Sequence, residues 1–350
     1  MNRYSLEIIS PVHIGSGNKY SNKEFIIKDK LLTRVEIGKI YETIENDNAK
    51  DDFILFLEEP GMTLKDFIGN DVPKNSRLYT ANLPNEKILS EISEFIKTNN
   101  ISFIPGSSIK GAIRTTFLYY MINENDINEL RYALQYRQNT DVILDKIISG
   151  NTKNSSYSDL LKFLQISDSN YIDKLEIICE QTLEAMYNGW NWYKRNNNIV
   201  QTYIETIPMD LKIEGDIAIN SNDELLKILG LHDKGKNLSF DKIKEIIYTF
   251  SRDLINYELE FAKKYNIDFL STFYEKIQKL NSKDSPLLKI GHGTGFMATT
   301  IGLKLKNDHQ LFEKIRMSTR GKTYQYEFPK TRKIDIEKHI PLGWCKLEIK

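Results

Sequence analysis

The stretch Ile104-Pro-Gly-Ser-Ser-Ile-Lys-Gly-Ala-Ile-Arg-Thr-Thr-Phe-Leu118 anchors any reading of this 350-residue chain. Pro105 and Gly106 end one element, and Ser107 or Ser108 can cap a helix whose first-turn amides point outward, unpaired and partly positive. Gly106 would let a ligand's backbone approach closely. Lys110 and Arg114 stand four apart on one helical face, while Ile109, Ile113 and Phe117 form a stripe for a core. Two readings fit: a phosphate seat at a helix start, or a capped helix with a solvated basic face. A nucleotide-binding P-loop is excluded, because Ala112 and Ile113 follow Gly111 where Lys and then Ser or Thr are required.

Upstream, Tyr4, Leu6 and Ile8 alternate with Ser5 and Glu7 as in a half-buried strand closed by Pro11. Phe25 to Val35 reads as a hairpin turning at Lys28-Asp29-Lys30, and a short helix is expected around Glu36 to Ile44. Beyond Pro84 a helix is expected, with Ile88, Ile92, Phe95 and Ile96 on one face. Downstream, the pattern from about Tyr119 to Tyr193 is helical and acidic. Tyr203 to Ile213 returns to strand, continued by Ile217 and Ile219. Glu224 to Leu280 is helical, with Ile243, Ile246, Ile247 and Phe250 on one stripe. After Pro286 come a strand, a glycine loop, a helix, a basic tail and a last alternating strand, Trp344 to Ile349. The expected class is α+β: the N-terminal order of elements suits a ferredoxin-like unit, and two α+β domains with helical insertions fit the chain better than one long sheet. The first would span 1–200 with an acidic helical extension at about 120–195. The second would span 201–350 with a helical insertion at about 222–282 and a basic tail.

Forty-eight Lys+Arg balance 48 Asp+Glu, and 27% charged with 40% hydrophobic residues excludes a disordered tail or a fibre. Neutrality also argues against gripping nucleic acid by bulk charge. The charge is unevenly spread: Met121 to Trp190 carries 6 basic and 11 acidic residues, and Ile301 to Lys350 carries 12 and 6. Two cysteines, Cys179 and Cys345, give neither a disulfide framework nor a zinc site. With no signal peptide or membrane span in the sequence, a cytoplasmic protein is expected.

Three further segments bear on chemistry. In Ile290-Gly-His-Gly-Thr-Gly-Phe-Met-Ala-Thr-Thr-Ile-Gly302, Gly291, Gly293 and Gly295 flank His292 and leave bare backbone amides for a sugar-phosphate chain. The same residues also fit a plain glycine-rich turn, and Phe296 breaks the dinucleotide fingerprint. In Pro11-Val-His-Ile-Gly-Ser-Gly17, His13 beside Gly15 and Gly17 could be a general base, contact a nucleobase, or pack under the loop. The tail Leu311 to Lys333 has seven cations against two acids. There Tyr324, Tyr326 and Phe328 interleave with Arg320, Lys322, Lys330 and Arg332, which suits a single strand or a solvated edge hairpin. Trp190, Trp192 and Tyr193, at an expected helix end, suit core or subunit packing. The five histidines show no metal-ligand spacing, so no metal or cofactor is expected.

Together these segments resemble the RAMP family of CRISPR systems. Pro11 to Gly17 is similar to its N-terminal pattern, Ile104 to Thr115 to its most specific block, and Ile290 to Gly302 to its glycine-rich loop. Phe163-Leu-Gln-Ile-Ser-Asp-Ser169 resembles a further block. Phe328-Pro-Lys-Thr-Arg332 and Leu342-Gly-Trp344 resemble the type III-A (Csm) subunit at the 3′ end of the guide. The resemblance implies two ferredoxin-like or RRM-like (RAMP) domains and a non-catalytic, RNA-binding role: capping the CRISPR RNA (crRNA) 3′ end and supporting its maturation. It also implies as partners crRNA, the backbone RAMP and small Csm subunits, target RNA and recruited nucleases, and no membrane. The RNA-contacting set would be His13, Gly15, Gly17, Gly106, Ser107, Ser108, Lys110, Arg114, Gly291, His292, Gly293, Gly295, Lys330 and Arg332. The alternative is a metal-independent RAMP endoribonuclease acting on CRISPR precursor RNA with His13 as base.

Overall fold

The computed structural model describes residues 2–83, 91–150, 158–320 and 327–350, with backbone only at 319 and 320. Its first strand, β1 (Asn2–Ile8), buries Tyr4, Leu6 and Ile8 as the alternation requires. β2 (Gly15–Ser21) precedes the hairpin β3 (Phe25–Lys28) and β4 (Leu31–Val35). Asp29 and Lys30 take φ of 51° and 61°, the left-handed pair that matches a two-residue hairpin turn to strand twist. Three helices follow, α1 (Ile37–Glu42), α2 (Asp47–Glu58) and α3 (Leu64–Ile68). Ile40, Phe53, Phe56 and Leu64 enclose a small core with Ile26 and Val35 of the hairpin.

β5 (Arg77–Asn82) and β6 (Glu91–Phe95) lead to α4 (Gly106–Met121), α5 (Glu124–Gln135) and α6 (Asp141–Ile148). The helix expected after Pro84 is therefore strand where it is described. Ile92 and Phe95 are buried, and β6 lies parallel to the segment around Tyr203 and Ile204. A spacing of three puts Ile92 and Phe95 on opposite faces of a strand, and both are buried. This strand is therefore covered on both sides and lacks the alternation that would have marked it in the sequence. Pro84 and Ile88 lie outside the described residues.

The acidic middle also departs from expectation. Beyond Ile148 it forms β7 (Leu164–Ile166), β8 (Glu176–Met186) and β9 (Gly189–Trp192). Glu176, Glu180 and Glu184 interrupt the apolar pattern of β8 and conceal it in the sequence. Trp190 and Trp192 stand on a strand rather than at a helix end, and Trp190 packs edge-on against Phe269, with centroids 5.6 Å apart.

β10 (Gln201–Thr206) and β11 (Lys212–Ile219) appear as expected, as do the long helices α7 (Phe240–Lys264) and α8 (Asp268–Leu280). Ile243, Ile246, Ile247, Phe250 and Leu254 make the buried stripe of α7. The chain closes with β12 (Leu287–Lys289), α9 (His309–Arg320), β13 (Thr331–Asp335), β14 (Ile340–Pro341) and β15 (Trp344–Ile349).

Two sheets hold these elements. The smaller runs β12-β15-β1-β11-β7. The larger runs β2-β6-β10-β8-β5-β4-β3, with β9 and β13 also pairing with β8 and β14 with β13. β1 lies between β11 and β15, so each sheet takes strands from both sides of residue 200. Among the described residues no helix is long and apolar enough to cross a membrane.

Candidate nucleic-acid interface

Helix α4 begins at Gly106, with Pro105 as its N-cap and no side-chain cap, so neither Ser107 nor Ser108 caps it. Both lie inside the first turn. The free amide of Gly106 is met by Asp168, whose Oδ1 accepts its hydrogen bond at 2.8 Å. Ser169 Oγ accepts from the Ile104 amide at 2.9 Å. The segments 104–118 and 163–169 are thus one structural unit, and the protein's own carboxylate occupies the helix start proposed as a phosphate seat. The need for glycine at 106 is also internal. A Cβ there would stand 2.3 Å from the Ile166 carbonyl oxygen, so the close approach is from the end of β7.

The cation pair on α4 divides. Arg114 is bound by Asp145 at 2.9 Å and by Asp159, so it does not stand free beside Lys110. Lys110 has no ion pair among the described residues, and partial burial lowers its pKa against the pull of Asp159. Ser107 and Gly111 are exposed on either side of it, and a Cβ on Gly111 would meet nothing within 4 Å. What α4 offers outward is a lysine between small residues.

The two other glycine loops meet each other. His13 is buried, and its Nδ1 donates to the Glu205 carbonyl oxygen at 2.6 Å. Its own carbonyl accepts from the His292 amide at 2.7 Å, and the two imidazoles lie edge to face with centroids 5.7 Å apart. Gly291 makes this seam possible: its φ is 76°, and a Cβ would lie 2.3 Å from the His13 oxygen. His13 therefore packs under the loops. Desolvation pushes its pKa down, outweighing the bond to Glu205, which keeps the ring neutral near pH 7. On the outer side, Gly17 and Gly295 have φ of 88° and 80°, and a Cβ on either would meet nothing within 4 Å. Gly293 faces the Lys333 and Leu342 side chains, and Gly15 sits against the His13 ring. The loop 290–295 runs into the short turn Phe296–Thr299, which packs on α4.

Beneath the loop lies a charge arrangement that the sequence reading missed. Glu176, Glu180 and Glu184 recur every four residues along β8, and strand period places them on one face. Lys338 meets Glu176 at 2.7 Å, Lys333 meets Glu180 at 2.6 Å, and Lys330 pairs with Glu184. His292 Nε2 also donates to Glu180 at 2.6 Å. Burial opposes the charge on Glu180, but His292 and Lys333 outweigh it and hold the carboxyl below its usual range. Three glutamates of the acidic middle and three lysines of the basic tail thus neutralise each other.

Two cations of the expected contact set are held by internal acids, Lys330 within this pairing and Arg332 beside it. Arg332 is 6% exposed, bonds Glu258 through Nε at 2.6 Å and lies 3.9 Å from the Phe261 ring centre. It offers no cation to solvent. Lys330 is bound to Glu184. Tyr324, Tyr326 and Lys322 lie outside the described residues, as does the side chain of Arg320. A cleft of 450 Å³ opens here, with His292, Thr294, Phe296, Phe328, Arg332 and Lys333 in its walls. Among the described residues no three His, Cys, Asp or Glu side chains are grouped to hold a metal ion. The spacing of glutamates by four in 176–184, set against Lys330, Lys333 and Lys338, was the one available signal for this pairing.

The chain is 29% identical to "CRISPR system Cms protein Csm5" of Methanocaldococcus jannaschii over 381 aligned residues, covering 98% of this chain and 88% of that protein. It is 26% identical to the protein of the same name from Streptococcus thermophilus, over 65% of this chain and 67% of that one. Among solved structures, a chain of a "Csm-crRNA-target RNA ternary complex in type III-A CRISPR-Cas system" superposes with a TM-score of 0.79 at 22% identity, covering 99% and 100% of the two chains. T. onnurineus Csm5 superposes with a TM-score of 0.67 at 21% identity, covering 97% and 99%. The family described as the RAMP superfamily matches residues 5–298, and the chain belongs to it.

Proposed function

We propose that this protein is a non-catalytic, RNA-binding subunit of a type III-A CRISPR interference complex, seated at the 3′ end of the crRNA. The observation that carries the proposal is the identity to a Csm5 protein along nearly the whole chain. The site supports it. Gly17 and Gly295 present backbone with open space around it, and Lys110 is the α4 cation with no intramolecular ion pair among the described residues. Backbone and single-lysine contacts are indifferent to base sequence, as a subunit serving guides of varying sequence needs. In this reading crRNA and the neighbouring backbone and small subunits are the constant partners. Target RNA approaches along the same track, and guide trimming falls to recruited nucleases. The buried, bonded position of His13 gives no support to its use as a general base.

Guide RNA binding to the purified chain, measured at several salt concentrations, tests this. Lys110→Ala should weaken binding several-fold and reduce the log–log salt slope by about one, the share of one phosphate contact. Equal affinity and slope for Lys110→Ala and wild type would overturn Lys110 as a contact. No guide RNA binding by the wild-type chain or by its native complex would overturn the function.

A further inference from the structure

We infer that the outer face of α2 is a docking surface for a basic protein segment with an apolar residue at its centre, an inference that rests on reading the chain as a complex subunit. Within α2, Phe53 and Phe56 point into the small core beside the hairpin. At 100° per residue the opposite face carries Asp47, Asp51, Ile54, Leu55 and Glu58. Ile54 is 46% exposed and Leu55 is 63% exposed, so two large apolar side chains straddle a row of acids. A surface helix ordinarily puts polar residues there. Adjacent exposed apolar residues rimmed by charge are the composition of a protein contact.

Charge selects the occupant. Residues 36–59 hold eight acids and two lysines. Those lysines are already engaged, Lys39 with Glu36 at 3.3 Å and Lys50 with Asp47 at 3.8 Å. Asp51, Asp52 and Glu58 have no ion pair among the described residues. Elsewhere buried acids are matched: Glu176, Glu180, Glu205 and Glu258 each have a cation. An RNA phosphate chain would be repelled by this face, and so would a second copy presenting the same face in a two-fold contact. A protein surface bringing Lys or Arg around one apolar side chain satisfies both features.

The test uses the tagged chain in its native assembly, comparing wild type with Ile54→Ser/Leu55→Ser and with Asp51→Lys/Glu58→Lys. Protein subunits and guide RNA that co-purify are quantified. Carbodiimide, which joins carboxylates to lysines in contact, is applied to the wild-type assembly. The expected result is a loss of about tenfold or more in the same protein subunit for both variants, as for removal of a contact centre. Crosslinks should join Asp51 or Glu58 to a lysine of that subunit. Guide RNA binding by the isolated variants should stay unchanged, which also reports that they are folded. A full complement of subunits with both variants, or crosslinks from these acids only to lysines of this chain, would overturn the docking surface. Failure of the functional reading looks different: wild type would then co-purify with neither guide RNA nor other CRISPR subunits.

Discussion

Strand β8 and helix α2 both carry a row of acids, and the molecule treats them in opposite ways. On β8 Glu176 and Glu180 are buried and Glu184 half-buried, each against a cation from the C-terminal tail. On α2 the acids face outward around Ile54 and Leu55, and Asp51 and Glu58 have no counter-charge among the described residues. Buried charge requires a partner, because an unpaired ion in the interior costs several kcal/mol, whereas an exposed carboxylate is solvated by water. The β8 acids are thus a condition of folding, and the α2 acids are available for contact.

The largest expected effect is at a buried pair beside that ladder. Glu258→Ala would leave Arg332, 6% exposed, without its carboxylate, and should cost about 3–5 kcal/mol in chemical denaturation. A loss below about 1 kcal/mol would break the contrast. Next comes Lys289, packed near the same pair and pushed down to about 8, chiefly by burial. The unfolded chain holds this proton up to about pH 10.4, so between pH 8 and 10.4 it binds more protons than the folded one. Stability should rise with pH across that window, by up to about 3 kcal/mol. Lys289→Met should flatten that rise and be the more stable form at pH 7, read from unfolding midpoints at pH 7, 8 and 9.5. An unchanged slope would place Lys289 in contact with water. The smallest effect belongs to α2. Asp51→Ala/Glu58→Ala should shift the stability of the isolated chain by no more than about 0.5 kcal/mol. A larger loss would mean that these acids serve the fold and would remove the basis of the docking surface.

Much of the fold was legible because local patterns agreed with it. The hairpin at Asp29-Lys30, the stripe on α7 and the last strand Trp344–Ile349 all follow from periodicity and turn chemistry. Strands β6 and β8 were not legible. Ile92, Phe95 and Ile96 are spaced for a helix and lack a strand's alternation, and β8 alternates with glutamates whose burial depends on lysines some 150 residues away. The candidate site divides in the same way. Its segments were identifiable, but their roles were not. Gly106 and Gly291 are required by the chain's own backbone rather than by a ligand, and Arg114 and Arg332 are held by internal acids.

The sequence by itself determined the RAMP-type segments, the α+β class and the locations of the long helices, because these depend on residues near one another in the chain. Only the tertiary structure decided which charges survive for a partner. Whether a lysine is a free cation depends on whether a carboxylate from elsewhere lies within about 3–4 Å of it, where the mutual attraction in a partly buried site outweighs binding to solvent. Lys110 stays without an ion pair and Arg332 does not, although the two read alike in the sequence.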